Sequence, residues 1–198
     1  MMTEFKALAG QTPFRIIAKA GLSLLFVGLA TLVSREGLAL SIIIIFTGVT
    51  GPTIRLVTMK MDGLFDRIIV SPASKSRFFF KFAGFWTVAV LLPLIPAMVA
   101  VIIPQGPATI IPIISGTVLA VLVGTLAGFV SRGLSEAHLA AILTSGLLIV
   151  FSIINTPVAT YVPFTALSSA AFEPALLVLP FILLVIAGVT LALTVSRS

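Results

Sequence analysis

Residues 60–81 read "KMDGLFDRIIVSPASKSRFFFK", and they hold seven of the 18 charged residues in the sequence (12 basic, 6 acidic). The runs on either side are long and uncharged. Across all 198 residues only 9% are charged, 59% are hydrophobic, and the mean hydropathy is +1.27. A domain folded in water carries about 25% charged residues to cover its surface. With so few charges, the main solvent of this protein must be lipid. A span needs about 20 apolar residues to cross about 30 Å of hydrocarbon at 1.5 Å per residue. The apolar runs here are long and continuous rather than alternating, which favours helices over a barrel.

The runs predict an all-α, polytopic membrane protein: one transmembrane domain over 1–198 with six spans, near 14–34, 38–58, 82–103, 109–130, 137–154 and 175–195. In the first, Arg15 and Lys19 snorkel toward the interface. Its alternative, a cleaved signal peptide, lacks a small-residue cleavage site, because the run ends in "VSREG". In the fifth, Ser135 is the expected N-cap and Glu136 suits the positive helix end. With both termini on one side, that side collects eleven of the 12 Lys and Arg residues, and only Arg35 lies opposite. Positive charge marks the cytoplasmic face, so both termini and the 60–81 elbow are expected there. After span five, prolines at 157, 163 and 174 rule out a straight helix through an apolar stretch. Re-entrant or interfacial helices shielded by protein are expected instead.

Several function classes find no support. There is no cysteine, hence no disulfide framework or thiolate metal site. No phosphate-binding loop occurs, and the single His138 has no nucleophile or base near it in sequence. No catalytic residue, metal or directly bound cofactor is therefore expected. The basic residues are scattered between spans, which argues for orientation in a membrane rather than nucleic-acid binding.

Three features invite a reading. In span four, Gly116, Ala120, Gly124 and Gly128 recur every fourth residue, a spacing that admits a close helix from a second copy or from the same bundle. In span two, Thr47, Thr50 and Thr53 flank Gly51-Pro52. They either satisfy carbonyls at a kink or line a substrate path, and Ser152 and Asn155 in span five pose the same choice. Pro93 and Pro96 predict a bent or broken span three. Within the elbow, Leu64, Phe65, Ile68 and Ile69 share one helical face, with Asp62, Asp66 and Arg67 elsewhere. Asp62 is a candidate N-cap, and Ser71-Pro72 ends this short helix and starts the next. The elbow thus reads as an amphipathic helix, a turn, and a basic helix running into span three. It either lies on lipid or docks on a soluble partner.

The pattern Asp62-Gly63-x-x-Asp66, then Ser71-Pro72-x-Ser74-Lys75 and Lys81, resembles the coupling loop of the membrane subunits of type-2 ABC exporters. That family's loop typically carries glutamates for the aspartates and a threonine where Leu64 stands. The six-span plan and the Pro-rich stretch after span five are similar over nearly the whole length. The resemblance implies a permease that pairs with a second copy or a paralogue and docks on a separate ABC ATPase subunit. ATP and Mg would be bound only by that partner, so the permease would be no enzyme by itself. It implies docking through Asp62, Gly63, Leu64, Phe65, Asp66, Arg67, Ile68, Ile69 and Pro72. It also implies a path faced by spans two and five (Thr47, Thr50, Thr53, Phe151, Ser152, Asn155), an outer lid after span five, and export of a hydrophobic or amphipathic cargo such as a drug, lipid or peptide. A haem-exporter-type subunit of cytochrome c maturation shares the size and the Asp-Gly loop. An ATPase-independent channel or scaffold is the other competing expectation.

Overall fold

The computed structural model describes residues 13–32, 34–64, 72–153 and 162–169, together with 182 and 186. Among these the secondary structure is helical, with no strand: α1 (Pro13–Thr31), α2 (Glu36–Met61), α3 (Pro72–Gln105), a 3₁₀ turn (Pro107–Thr109), α4 (Ile110–Val130), α5 (Leu134–Ile153) and α6 (Pro163–Ser169). Four helices, α2 to α5, are long and apolar enough to cross a membrane. In α1 the apolar part, Ile16–Thr31, falls short of the required length. The expected sixth span lies outside the described residues, apart from Ile182 and Ile186, both helical and exposed.

The α2 helix is the hub. It packs most extensively on α4, then on α5, and also touches α1, α3 and α6, while α1 leans mainly on α3. The turn between α1 and α2 closes tightly: Ser34 takes a left-handed φ of 52°, and Arg35 N–H donates to Ala30 O at 3.0 Å. This six-to-one bond caps the orphan carbonyls of α1. Gly106, at φ 91°, makes the corresponding reversal between α3 and α4, a conformation that a side group would oppose.

The α2 and α4 helices lie parallel and nearly in backbone contact. A Cβ on Gly48 would meet Ala120 Cβ at 2.7 Å, one on Gly124 would collide with Val49 O and lie 2.7 Å from Val49 Cα, and one on Gly128 would sit 3.0 Å from Thr53 O. The small-residue stripe of α4 therefore packs inside this bundle, against α2 and α6, rather than presenting a bare face to a second copy. Thr53 stitches the seam: its hydroxyl lies 2.6 Å from Val49 O and 2.7 Å from Gly124 O.

Two local expectations are corrected. The α3 helix runs through Pro93 and Pro96 to Gln105 without interruption, so the break expected there is absent. Neighbouring helices can support the backbone groups that proline frees, so the helix continues. The α5 helix starts at Leu134, which places Ser135 inside the first turn rather than at the cap. Glu136 serves that end instead, accepting Arg132 N–H at 2.8 Å.

Candidate functional site

The elbow is rooted in a dense cluster. The α2 helix ends where Asp62 and Gly63 turn the backbone, with Asp62 N–H donating to Thr58 O at 2.9 Å and Gly63 at φ 64°. Asp62 thus stands at the close of α2. Leu64 is helical and exposed just beyond that turn. Phe65, Asp66, Arg67, Ile68 and Ile69 lie outside the described residues, and Pro72 opens α3.

One residue before the end of α2, Lys60 crosses to α4. Its ammonium donates to Gly128 O at 2.8 Å, Phe129 O at 2.6 Å and Ser131 O at 3.1 Å, and it stands 5.7 Å from the centre of the Phe129 ring. These carbonyls belong to the end of α4, where a helix presents unsatisfied acceptors and partial negative charge. Lys60 in effect caps the C-terminus of a neighbouring helix. From α3, Phe78 and Phe82 pair at 5.5 Å, Phe82 and Trp86 at 6.2 Å, and Phe79 reaches Phe129 at 6.1 Å. Leu56 and Met59 of α2 fill the gap beneath them. Both ends of the elbow therefore enter one packed block that joins α2, α3 and α4.

The opposite end of the bundle is closed by α6. Val162 through Leu167 are six consecutive buried residues, with Phe164 and Leu167 fully covered. Phe164 presses its ring on Gly116, where a Cβ would meet it at 2.9 Å. The Leu167 carbonyl sits where a Cβ on Gly37 would be. Thr165 Oγ1 donates to Phe151 O at 3.2 Å, and Ser41 Oγ lies 3.4 Å from Phe164 O. A short helix follows span five, and its residues through Leu167 are buried. Beside it Gln105 Nε2 donates to Glu36 Oε1 at 3.3 Å, tying α3 to α2.

The described residues among those considered for a path face different parts of the bundle. Thr47 lines a cleft between α1, α2 and α3 and donates to Ile43 O at 2.7 Å. Thr50 is half-buried. Thr53 is buried against α4. Successive steps of three residues rotate each threonine about 60° from the last, at 3.6 residues per turn, so Thr47 and Thr53 diverge by about 120°. Phe151 and Ser152 lie at the far end beside α6, where Ser152 Oγ donates to Ile149 O at 2.7 Å. Asn155 lies outside the described residues. His138 is exposed near the start of α5, and no group of three His, Asp or Glu gathers among the described residues.

Two contacts go beyond what the sequence reading offers. There Lys60 counts only as an orienting charge. A basic residue in the last turn suggests a cap on its own helix, whereas Lys60 of α2 caps α4, which the sequence does not signal. Nothing in the sequence surroundings of Gly37 marks it as the seat of α6.

No family model matches this protein, and neither the curated proteins nor the solved structures contain a significant match.

Proposed function

We propose that this protein is the membrane subunit of an ATP-driven exporter of the type-2 ABC kind, a six-span permease with both termini in the cytoplasm. Two copies, or a copy and a paralogue, enclose the path, and each elbow docks on a separate ATPase subunit. The observation that carries the reading is the rooting of the elbow. Lys60 and the Phe78–Phe82–Trp86 ladder fix its two ends to α2, α3 and α4 at once. A force applied to the elbow passes into three helices rather than dissipating in a slack loop. Interiors at crystal-like density transmit displacement in this way.

In the proposed cycle, Leu64, Phe65, Ile68 and Ile69 pack into the ATPase, while Asp62, Asp66 and Arg67 fix the register. Gly63 and Pro72 shape the two ends of the docking helix. Closure of two ATPases around ATP and Mg pushes the elbows, and α2 carries the movement to α6 through Gly37 and Ser41. The α6 helix acts as the outer lid. A hydrophobic or amphipathic cargo is consistent with a bundle in which, among the described residues, the buried polar residues are uncharged serines and threonines.

The test is affinity purification of the detergent-extracted protein from its native membrane. A nucleotide-binding subunit is expected to accompany it. Phe65→Asp with Ile69→Asp should abolish that association while the protein still inserts. Retention of the ATPase by this double variant, or no ATPase with the unaltered protein, contradicts the proposal.

A further inference from the structure

A cleft of about 520 Å³ opens between α1, α2 and α3 on the side of the bundle away from the α2–α4 seam. Its walls are apolar, including Phe26, Phe46, Leu94 and the face of Trp86. The volume falls in the range of sites that seat a small organic molecule, about 300–1,000 Å³.

The two hydroxyls nearest it are already committed. Ser23 Oγ donates to Ala20 O at 2.9 Å and Thr47 Oγ1 to Ile43 O at 2.7 Å, both within their own helices. Trp86 Nε1 is buried, with no hydrogen-bond partner among the described residues. Lys19 is the charged residue of the lining: it is exposed, and among the described residues no hydrogen bond or ion pair engages it. The helix directions place it at one end of the cleft. The α1 and α2 helices are antiparallel across the turn at 32–35, so Lys19 falls in the same part of the cleft as Thr47 and Gly51, whose Cβ would meet the Trp86 ring at 2.6 Å. Phe26, Ile42 and Leu94 lie at the other end. The cleft is thus polarised, cationic at the elbow end and apolar beyond.

We propose that the cleft seats an acyl tail of an anionic bilayer phospholipid, with its phosphate paired to Lys19. A lone ammonium at the edge of a lipid-facing groove requires a counter-ion, and its long stem reaches headgroup level to find one. Apolar walls running from that charge toward the bilayer centre match an attached tail. Such a site requires only that the protein sits in a bilayer, and it is independent of any ATPase.

The single tryptophan provides the readout, because bromine on an acyl tail quenches indole fluorescence only at contact. The protein is reconstituted in phosphatidylcholine vesicles with increasing mole fractions of dibrominated phosphatidylglycerol or dibrominated phosphatidylcholine. Trp86 should reach half-quenching at a mole fraction about fivefold lower for the anionic lipid, the preference expected of one basic residue at a membrane surface. Lys19→Gln should bring the two curves together, and Ala89→Phe, which fills the groove, should weaken quenching by both. Equal curves for the unaltered protein, a preference that survives Lys19→Gln, or no quenching by either lipid would each overturn the proposal. The last result means that protein, such as a second copy, covers the cleft.

Discussion

The α4 and α5 helices are nearly alike in length and both strongly apolar, yet they occupy opposite environments. In α4, 61% of the most apolar stretch is buried; in α5 only 22% is. Hydropathy does not order burial across the four long helices: α3, the most apolar, is 28% buried over its most apolar stretch, and the less apolar α2 is 56% buried. Leu139, Ile142, Leu143 and Leu147 of α5 are all exposed, whereas Gly116, Ala120, Gly124 and Gly128 of α4 face α2 and α6. In water the leucines would be driven inward. In lipid that drive is absent, because acyl tails are as apolar as leucine, and close backbone approach decides which face turns inward. Small size, not hydrophobicity, marks the interior here.

This contrast is most vulnerable at Gly124. Gly124→Leu would force a bulky group into the Val49 backbone, which cannot yield as a flexible side group would. Overpacking of a dense core typically costs about 1–3 kcal/mol, and a backbone collision belongs at or above about 3 kcal/mol. Reversible unfolding in mixed micelles should show the bundle lost or severely destabilised. Near-normal stability would mean that the seam is not close-packed.

A smaller effect is expected at the elbow end of the same seam. Lys60→Met keeps the apolar stem but removes the donors to the Gly128, Phe129 and Ser131 carbonyls. Hydrogen bonds to charged groups contribute about 1.5–3 kcal/mol, and solvent near the helix end places this one near the lower figure, about 1.5 kcal/mol. Amide exchange in the last turn of α4 should accelerate before the rest of the bundle changes. Uniform exchange along α4 would remove Lys60 from the capping role.

The smallest effect is expected on the other helix. Leu143→Ala in α5 deletes more apolar surface than any change at Gly124, yet stability should shift by less than about 0.5 kcal/mol, since the leucine faces lipid whether or not the bundle holds together. A loss of several kcal/mol would show that protein covers this face.

Much of the fold is legible in the sequence because bilayer thickness sets element length. The uncharged runs mark α2 to α5, and the elbow's basic half is continuous with α3 as expected. The small-residue stripe announces a close contact but not its partner, because the spacing specifies how near a helix can come and not which one does. The threonines of α2 look like a set because they recur every third residue. That interval spreads them around the helix, leaving Thr47 in a cleft and Thr53 in a seam. The prolines of α3 suggest breaks, but a proline's effect depends on neighbours that one helix does not reveal. The Lys60 cap is longer-range still, joining residues 68 to 71 positions apart.

The claim on which the transporter reading depends is that the elbow stands in the cytoplasm, within reach of a soluble partner. The absence of cysteine makes a direct measurement possible. A single Ser74→Cys substitution can be labelled with a membrane-impermeant thiol reagent in sealed vesicles of known orientation. A cytoplasmic elbow predicts labelling in inside-out vesicles, protection in right-side-out ones, and loss of labelling once the ATPase subunit is bound. Labelling from the exterior face, or no reaction from either side because the residue is sunk in the headgroups, would contradict it.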